Sequence, residues 1–244
     1  MIKKLGIMQP YFFPYLGYFS LIKNTDLFIL LDEVQFIRHG WIERNRILKQ
    51  TGGWQYIKVP LKRHSQKTLI KEIEIENSLP WKKKILDQLG HYKKAPFYKE
   101  VKLLLEKCFE KEIPDIVHLN KICMEEVCRY LQIDASIKIF SEMGLKIKPV
   151  KAADEWALNI CTQIKGVQEY WNPIGGIDLF RVQRYKEEGI ELKFHQIEIV
   201  PYLQKEESFQ PCLSMIDVMM FNEREKILEM LEGYLLHEKD CDLP

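Results

Sequence analysis

The sequence predicts an α/β, Rossmann-like chain with a mainly parallel sheet, a helical insertion in its middle and a C-terminal helix. Three observations carry that prediction. Short apolar runs ("KKLGIMQ", "DLFILLDEVQF", "SIKIF", "IELKFHQIEI") alternate with segments of helical period, which is the rhythm of βαβ units. The run "DLFILL" is apolar throughout rather than alternating, as a strand covered on both faces must be. Between residues 80 and 132 the rhythm stops, and lysine-rich helical patterns replace it.

Each element follows in order. "KKLGIMQ" ends abruptly at Pro10, as a buried strand would. "PYLGYFSLIKN" has helical spacing from near Pro14, where the fixed φ of proline suits a first turn. "DLFILLDEVQF" is the second strand. "ERNRIL" and "WQYIKVPL" flank Gly52-Gly53 and predict a hairpin. "IKEIEIE" alternates apolar and charged residues, predicting a half-buried strand. Residues 80 to 132 predict three helices with a break at Ala95-Pro96, an insertion within one domain spanning 1–244. After it come the strand "SIKIF", a helix over "AADEWALNICTQIKG" closed by Gly166, and the strand and turn "VQEYWNPIGG". A helix over "IDLFRVQRYKEEG" closed by Gly189, the strand "IELKFHQIEI" and one last helix from "SMIDVMMF" into "EREKILEMLEGYLL" complete the chain.

Composition narrows the function classes. Lys+Arg 36 against Asp+Glu 35 gives a net charge of +1 with interleaved signs, so no basic stripe points to DNA. The start "MIKKLGIMQP" has the two lysines of a signal peptide, but Gln9, Pro10 and Pro14 interrupt the apolar core. "LFILL" is far shorter than the roughly 20 residues that span a bilayer. The expectation is a cytoplasmic chain with no membrane insertion. Cys108, Cys123, Cys128, Cys161, Cys212 and Cys241 form no C-x-x-C and are expected to be reduced thiols, mostly core fillers. The histidines have no metal-ligand spacing, so no metal site is expected.

The residues that can carry chemistry cluster after the strands, because open α/β sheets bind ligands beyond the carboxyl ends of parallel strands. "QPYFFPYLGY" follows the first strand; Gln9 offers hydrogen bonds, while Tyr11, Tyr15 and Tyr18 offer stacking faces with polar tips. The same rings equally suit packing of the helix onto the sheet. Asp32 and Gln35 fall at the end of the second strand, where a carboxylate acts as a general base or caps a turn. "WIERNRIL" groups Trp41, Arg44, Asn45 and Arg46, a stacking ring with guanidinium groups for phosphate and an oriented amide. Asn172 before Gly175-Gly176, and Tyr202 and Gln204 in "PYLQ", complete the candidates. Ser214, three residues before Asp217, fits a helix N-cap. No residue has the setting of a covalent nucleophile.

In this order, "GIMQPYFFPYLGYFSLI", "DLFILLDEVQF", "WIERNRI", "VPL", "KAPFY" and "PYLQ…FQPCLSMIDVMMFN" resemble the WbqC-like proteins over nearly the whole chain. That resemblance implies a place in bacterial O-antigen or other surface-polysaccharide synthesis. It implies transfer of an acyl, glycyl or other aminoacyl group to the amine of a nucleotide-linked amino sugar. In that reading the aromatic loop and Arg44 or Arg46 hold the nucleotide sugar, Asp32 orients or deprotonates the amine, and no cofactor is bound. The acyl donor is left open among acyl-CoA, an acyl carrier and aminoacyl-tRNA, and a homo-oligomer is left open too. Family members usually carry asparagine before R-N-R, a Ser-Gly pair in the turn after "EY" and glycine after Asn222; here Glu43, Asn172-Pro173 and Glu223 take those places.

The opening also resembles the start of pantothenate synthetase, a nucleotidyltransferase-like enzyme. Its H-x-G-H motif aligns with Tyr15-Leu16-Gly17-Tyr18, so both imidazoles are phenols here. An ATP-dependent ligase of that kind and a non-catalytic sugar-nucleotide binding component are the alternative readings.

Overall fold

Side chains of the first two strands point alternately into two separate cores, and that alternation builds the layers. The computed structural model describes residues 1–204 and 208–239, so Cys241 lies outside the described residues. Strands β1 (Lys4–Met8) and β2 (Leu27–Leu30) pair in parallel. Leu5, Ile7, Leu27 and Ile29 enter one core, while Phe28 and Leu30 enter the other. Gly6 makes room for this, since a Cβ there would lie 2.7 Å from the ring of Phe28.

Around this pair the sheet has six strands in the order β5-β2-β1-β6-β7-β8. β5 (Ile137–Ile139), β6 (Glu169–Pro173) and β7 (Glu191–Ile197) extend it in parallel, and β8 (Tyr234–His237) closes it antiparallel to β7. The fold is therefore a Rossmann-like α/β sheet with helices on both faces. Helices α5 (Glu155–Cys161) and α6 (Val182–Glu187) cover the face of Leu5 and Ile7. The other face carries α1 (Leu16–Asn24), the antiparallel hairpin β3 (Arg44–Leu48) and β4 (Trp54–Lys58), and helices α2 (Trp81–Gln88), α3 (Tyr98–Phe109) and α4 (Ile116–Tyr130). Helices α7 (Met215–Phe221) and α8 (Arg224–Glu232) pack there as well.

Several elements differ from expectation. "IKEIEIE" is a 3₁₀ turn over Ile70–Glu72 followed by isolated bridges from Glu74 to Asp115 and from Ile75 to Leu61. Ile70, Ile73 and Ile75 are all buried, but at spacings of three and then two, and the N–H groups of Ile70 and Ile75 bond to the loop carbonyls of Val34 and Pro114 rather than to a ladder. The single C-terminal helix is two: Asn222 is extended and its side-chain amide caps α7 through the Val218 carbonyl at 2.8 Å. β8 then follows α8, an edge strand that the apolar helical spacing of "MLEGYLL" concealed. The helices before Gly166 and Gly189 are shorter than expected, though both glycines turn the chain with φ of 95° and 70°.

The sheet order fixes where a crevice opens. The chain steps from β1 to β2 and β5 on one side, then resumes with β6 and β7 on the other. The topological switch point therefore lies between β1 and β6, where connections leave the sheet in opposite directions.

Candidate functional site

A cavity of about 340 Å³ opens at that switch point, with Met8 and Pro173, the carboxyl ends of β1 and β6, in its wall. Tyr11, Pro14, Tyr15, Tyr18, Trp41, Asn45, Arg46 and Cys212 line the rest. The opening aromatic loop divides its labour. Phe12 and Phe13 are fully buried in the core, and the three tyrosines face the cavity.

Buried hydrogen bonds hold the loop in that shape. Phe12 donates its N–H to the Trp41 carbonyl at 2.9 Å, and Asn120 Nδ2 reaches the Pro10 carbonyl at 2.8 Å. Phe13 adopts φ 39°, an unusual value for a side chain with a Cβ. Its carbonyl accepts from Asn45 Nδ2 at 2.9 Å and from Ser214 Oγ at 2.7 Å, while the Phe12 carbonyl accepts from Asn45 at 3.0 Å. Ser214 also caps α7 by accepting from the Ile216 N–H at 3.2 Å. Gly17 allows α1 to pass close beneath: a Cβ there would sit 2.6 Å from the Tyr15 hydroxyl and 2.7 Å from Ile197.

Among the described residues, the chemistry of the wall is aromatic, neutral and singly cationic. Tyr11 and Tyr18 lie with ring centroids 5.5 Å apart, and the Tyr18 hydroxyl donates to the Gln9 carbonyl at 2.7 Å. Gln9 thus contributes its backbone to the site. Burial pushes all three phenols above their ordinary pKa, so they are hydrogen-bonding groups and not bases at neutral pH. The guanidinium of Arg46 lies 5.4 Å from the centre of the Trp41 ring and 5.3 Å from that of Trp54. Its Nη2 donates to the Cys212 carbonyl at 3.1 Å, and its Nε is buried with no hydrogen-bond partner.

Other candidates stand apart from this cavity. Arg44 shares the face of Arg46, but it stacks over Tyr56 at 4.2 Å and donates to the carbonyls of Gly40 and His39. Asp32 is 1% exposed; its oxygens accept from the Ser141 N–H at 3.0 Å and the Ser141 hydroxyl at 2.6 Å. Burial raises its carboxyl pKa, opposed by those hydrogen bonds. It caps the turn after β5. Gln35 bridges Leu69 and donates to the Gln66 carbonyl at 2.5 Å. Asn172 accepts from the Tyr170 hydroxyl at 2.9 Å and donates to the Pro173 carbonyl at 2.8 Å, fixing its own strand end.

Tyr202 and Gln204 belong to a buried hub behind the cavity. The Asp217 carboxylate accepts from the Tyr92 hydroxyl at 2.5 Å, the Tyr202 hydroxyl at 2.6 Å and Gln204 Nε2 at 2.9 Å. Burial nevertheless lifts its pKa to about 6. Sequence reasoning took Asp217 only for the acidic neighbour of a cap. It also missed Cys212, an exposed thiol at φ 54° on the cavity wall. A signal was there: "FQPCLS" lies outside any helical apolar pattern, whereas Cys108, Cys123, Cys128 and Cys161 lie within such patterns and are buried.

A family model for the WbqC-like proteins matches residues 9–229, beginning at the loop that lines the cavity. The chain belongs to the WbqC-like protein family. Among curated proteins, the "Uncharacterized protein Rv1507c" of Mycobacterium tuberculosis is 28% identical over 227 residues, covering 91% of this chain and 94% of that protein. No solved structure matches the chain, and the remoter likeness to nucleotidyltransferase-like enzymes gains no support from these comparisons. Among the described residues of this WbqC-like chain, no group of three or more His, Cys, Asp or Glu is placed to hold a metal ion. No helix among them is long and apolar enough to cross a membrane.

Proposed function

We propose that this WbqC-like protein binds a nucleotide-linked amino sugar in the switch-point cavity and transfers an acyl or aminoacyl group to its amine, in the synthesis of a bacterial surface polysaccharide. The observation that carries the reading is Arg46: a guanidinium 5.4 and 5.3 Å from the centres of two indoles, with a buried, unpartnered Nε in an aromatic crevice. Such a group suits a pyrophosphate, while Trp41 and the tyrosines suit a base or sugar ring. In the transfer the amine nitrogen attacks the acyl carbonyl carbon and the amide bond forms. The acyl–sulfur or acyl–oxygen bond of the donor breaks, and the amine proton leaves with the donor. The neutral phenols of Tyr11 and Tyr15 donate hydrogen bonds to the carbonyl oxygen as charge develops there. Holding amine and donor together supplies the main acceleration, since effective molarities reach about 10⁵ M or more.

One observation favours a second reading, a sugar-nucleotide binding component without catalysis: among the described residues, the cavity wall holds no carboxylate or imidazole to act as a base. A single experiment separates the two. Purified protein is incubated with UDP- and dTDP-linked amino sugars and with acyl-CoA or aminoacyl-tRNA, and products are read by mass. A new acylated sugar supports transfer, and its loss in Arg46→Ala, with at least tenfold weaker sugar-nucleotide binding, supports the assigned cavity. Binding without product from any donor favours the second reading. No binding at all overturns both.

A further inference from the structure

We propose that a second, larger cavity, beside the β3–β4 hairpin, is a separate binding site for a nucleoside phosphate. It measures about 610 Å³ and lies between the hairpin, the segment after β2 and the start of α2. It is distinct from the switch-point cavity, and the assignment does not rest on the acyl-transfer reading.

Its wall contains two buried polar atoms with no hydrogen-bond partner. Glu43 lines the cavity, is 3% exposed, and its Oε2 has no hydrogen-bond partner. His64 lines it too; its Nδ1 lies 2.8 Å from the Lys62 carbonyl, an acceptor, so Nδ1 carries the ring proton. Nε2 of the same ring is likewise buried and unpartnered. A buried acceptor left unsatisfied is destabilising, and a carboxylate more than most. A ligand bringing N–H or O–H donors removes that penalty.

The rest of the wall specifies the other parts of the ligand. Trp81 and Phe36 present aromatic surface, with Phe36 set edge-on to His64 at 5.0 Å. Arg38, Lys58 and Lys84 bring three cations to the same cavity. Helix α2 begins there at Trp81 with no side-chain cap, so its positive end adds to them. Donors inside, a flat ring against the aromatic wall and an anion toward the lysines describe a nucleobase, its sugar and its phosphate. The base N–H groups meet Glu43, and the phosphate meets Lys58, Lys84 and the start of α2. Inorganic phosphate satisfies the lysines but has no flat donor-bearing ring for Glu43 and Trp81.

Calorimetric titration of the full chain with GMP, AMP, CMP, UMP, ribose 5-phosphate and inorganic phosphate tests this assignment. At least one nucleotide is expected to bind tenfold or more tightly than ribose 5-phosphate or phosphate. Glu43→Gln, checked for folding by its thermal melt, is expected to weaken that nucleotide at least tenfold. Lys84→Ala, a change at an exposed helical position, is expected to weaken it several-fold and provides the test if Glu43→Gln does not fold. Arg46→Ala is expected to leave it unchanged. Equal binding of ribose 5-phosphate, no binding by any nucleotide, or indifference to both Glu43→Gln and Lys84→Ala overturns the proposal. So does loss of nucleotide binding in Arg46→Ala, which places the ligand in the other cavity.

Discussion

The two cavities share one stretch of chain and are finished in opposite ways. His39 and Glu43 line the hairpin cavity; Trp41 and Asn45, between and beyond them, line the switch-point cavity. At the switch point most polar groups are engaged: Asn45 braces the loop, Tyr18 reaches Gln9, and the phenols are neutral. Beside the hairpin, Glu43 and His64 each keep a buried polar atom without a partner. One cavity is marked by its position in the topology and one free guanidinium nitrogen, the other by unmet hydrogen bonding. Position and unmet demand are separate kinds of evidence for a site.

The largest effect expected tests what backs the switch-point cavity. Asp217 titrates at about 6 in the native state against 3.8 ordinarily, so it favours the folded state while protonated, and that advantage is lost as pH rises through about 6. His195, buried with its Nε2 2.8 Å from Ser20 Oγ, titrates at about 4 against 6.5, so its contribution is present above 6.5 and lost as pH falls toward 4. The two slopes oppose each other between pH 4 and 6. Asp217→Asn removes one of them. Urea unfolding of that variant should show stability falling by about 3 kcal/mol more than wild type between pH 6.5 and 4. An unchanged pH profile would mean that the hub does not titrate in this range.

Next in size is the brace between the cavities. Asn45→Ala takes a donor from the carbonyls of Phe12 and Phe13 and an acceptor from the Arg46 N–H. Loss of about 2 kcal/mol in denaturant unfolding is expected, from buried groups left short of partners. Stability equal to wild type would show that the aromatic loop holds its shape without the amide, and that the switch-point cavity is less firmly built than its partner. The smallest effect concerns accessibility alone. A maleimide should label Cys212 in the native protein and leave Cys108, Cys123, Cys128 and Cys161 untouched until unfolding, as peptide mass mapping would report. Native labelling of those four would contradict the packing of both cores.

The fold was legible because β1 and β2 at its centre are covered on both faces and so appear as nearly unbroken apolar runs. The hairpin was legible from Gly52-Gly53, whose positive φ values of 97° and 70° only glycine adopts freely. "IKEIEIE" misled because burial of its isoleucines needs contacts, not a ladder. β8 was hidden because its residues continue the helical apolar spacing of α8. In the candidate site, Tyr11, Tyr15, Tyr18, Trp41, Asn45 and Arg46 were legible from their types and from the strand they follow. Cys212 and Glu43 were not, since what marks them is space and a missing partner, and neither is written along a chain.

The stretch from Arg38 to Arg46 furnishes both cavities from a single thread, with side chains handed out by turns to one chamber and then the other. Its length is therefore more sharply constrained than its composition. A substitution alters one wall of one chamber. A deletion or insertion of a residue pair re-addresses every side chain between the change and the hairpin, bringing an indole to the place of Glu43 or a carboxylate to the place of Asn45. Variation along this thread should accordingly run to exchanges of residue and hardly ever to changes in spacing.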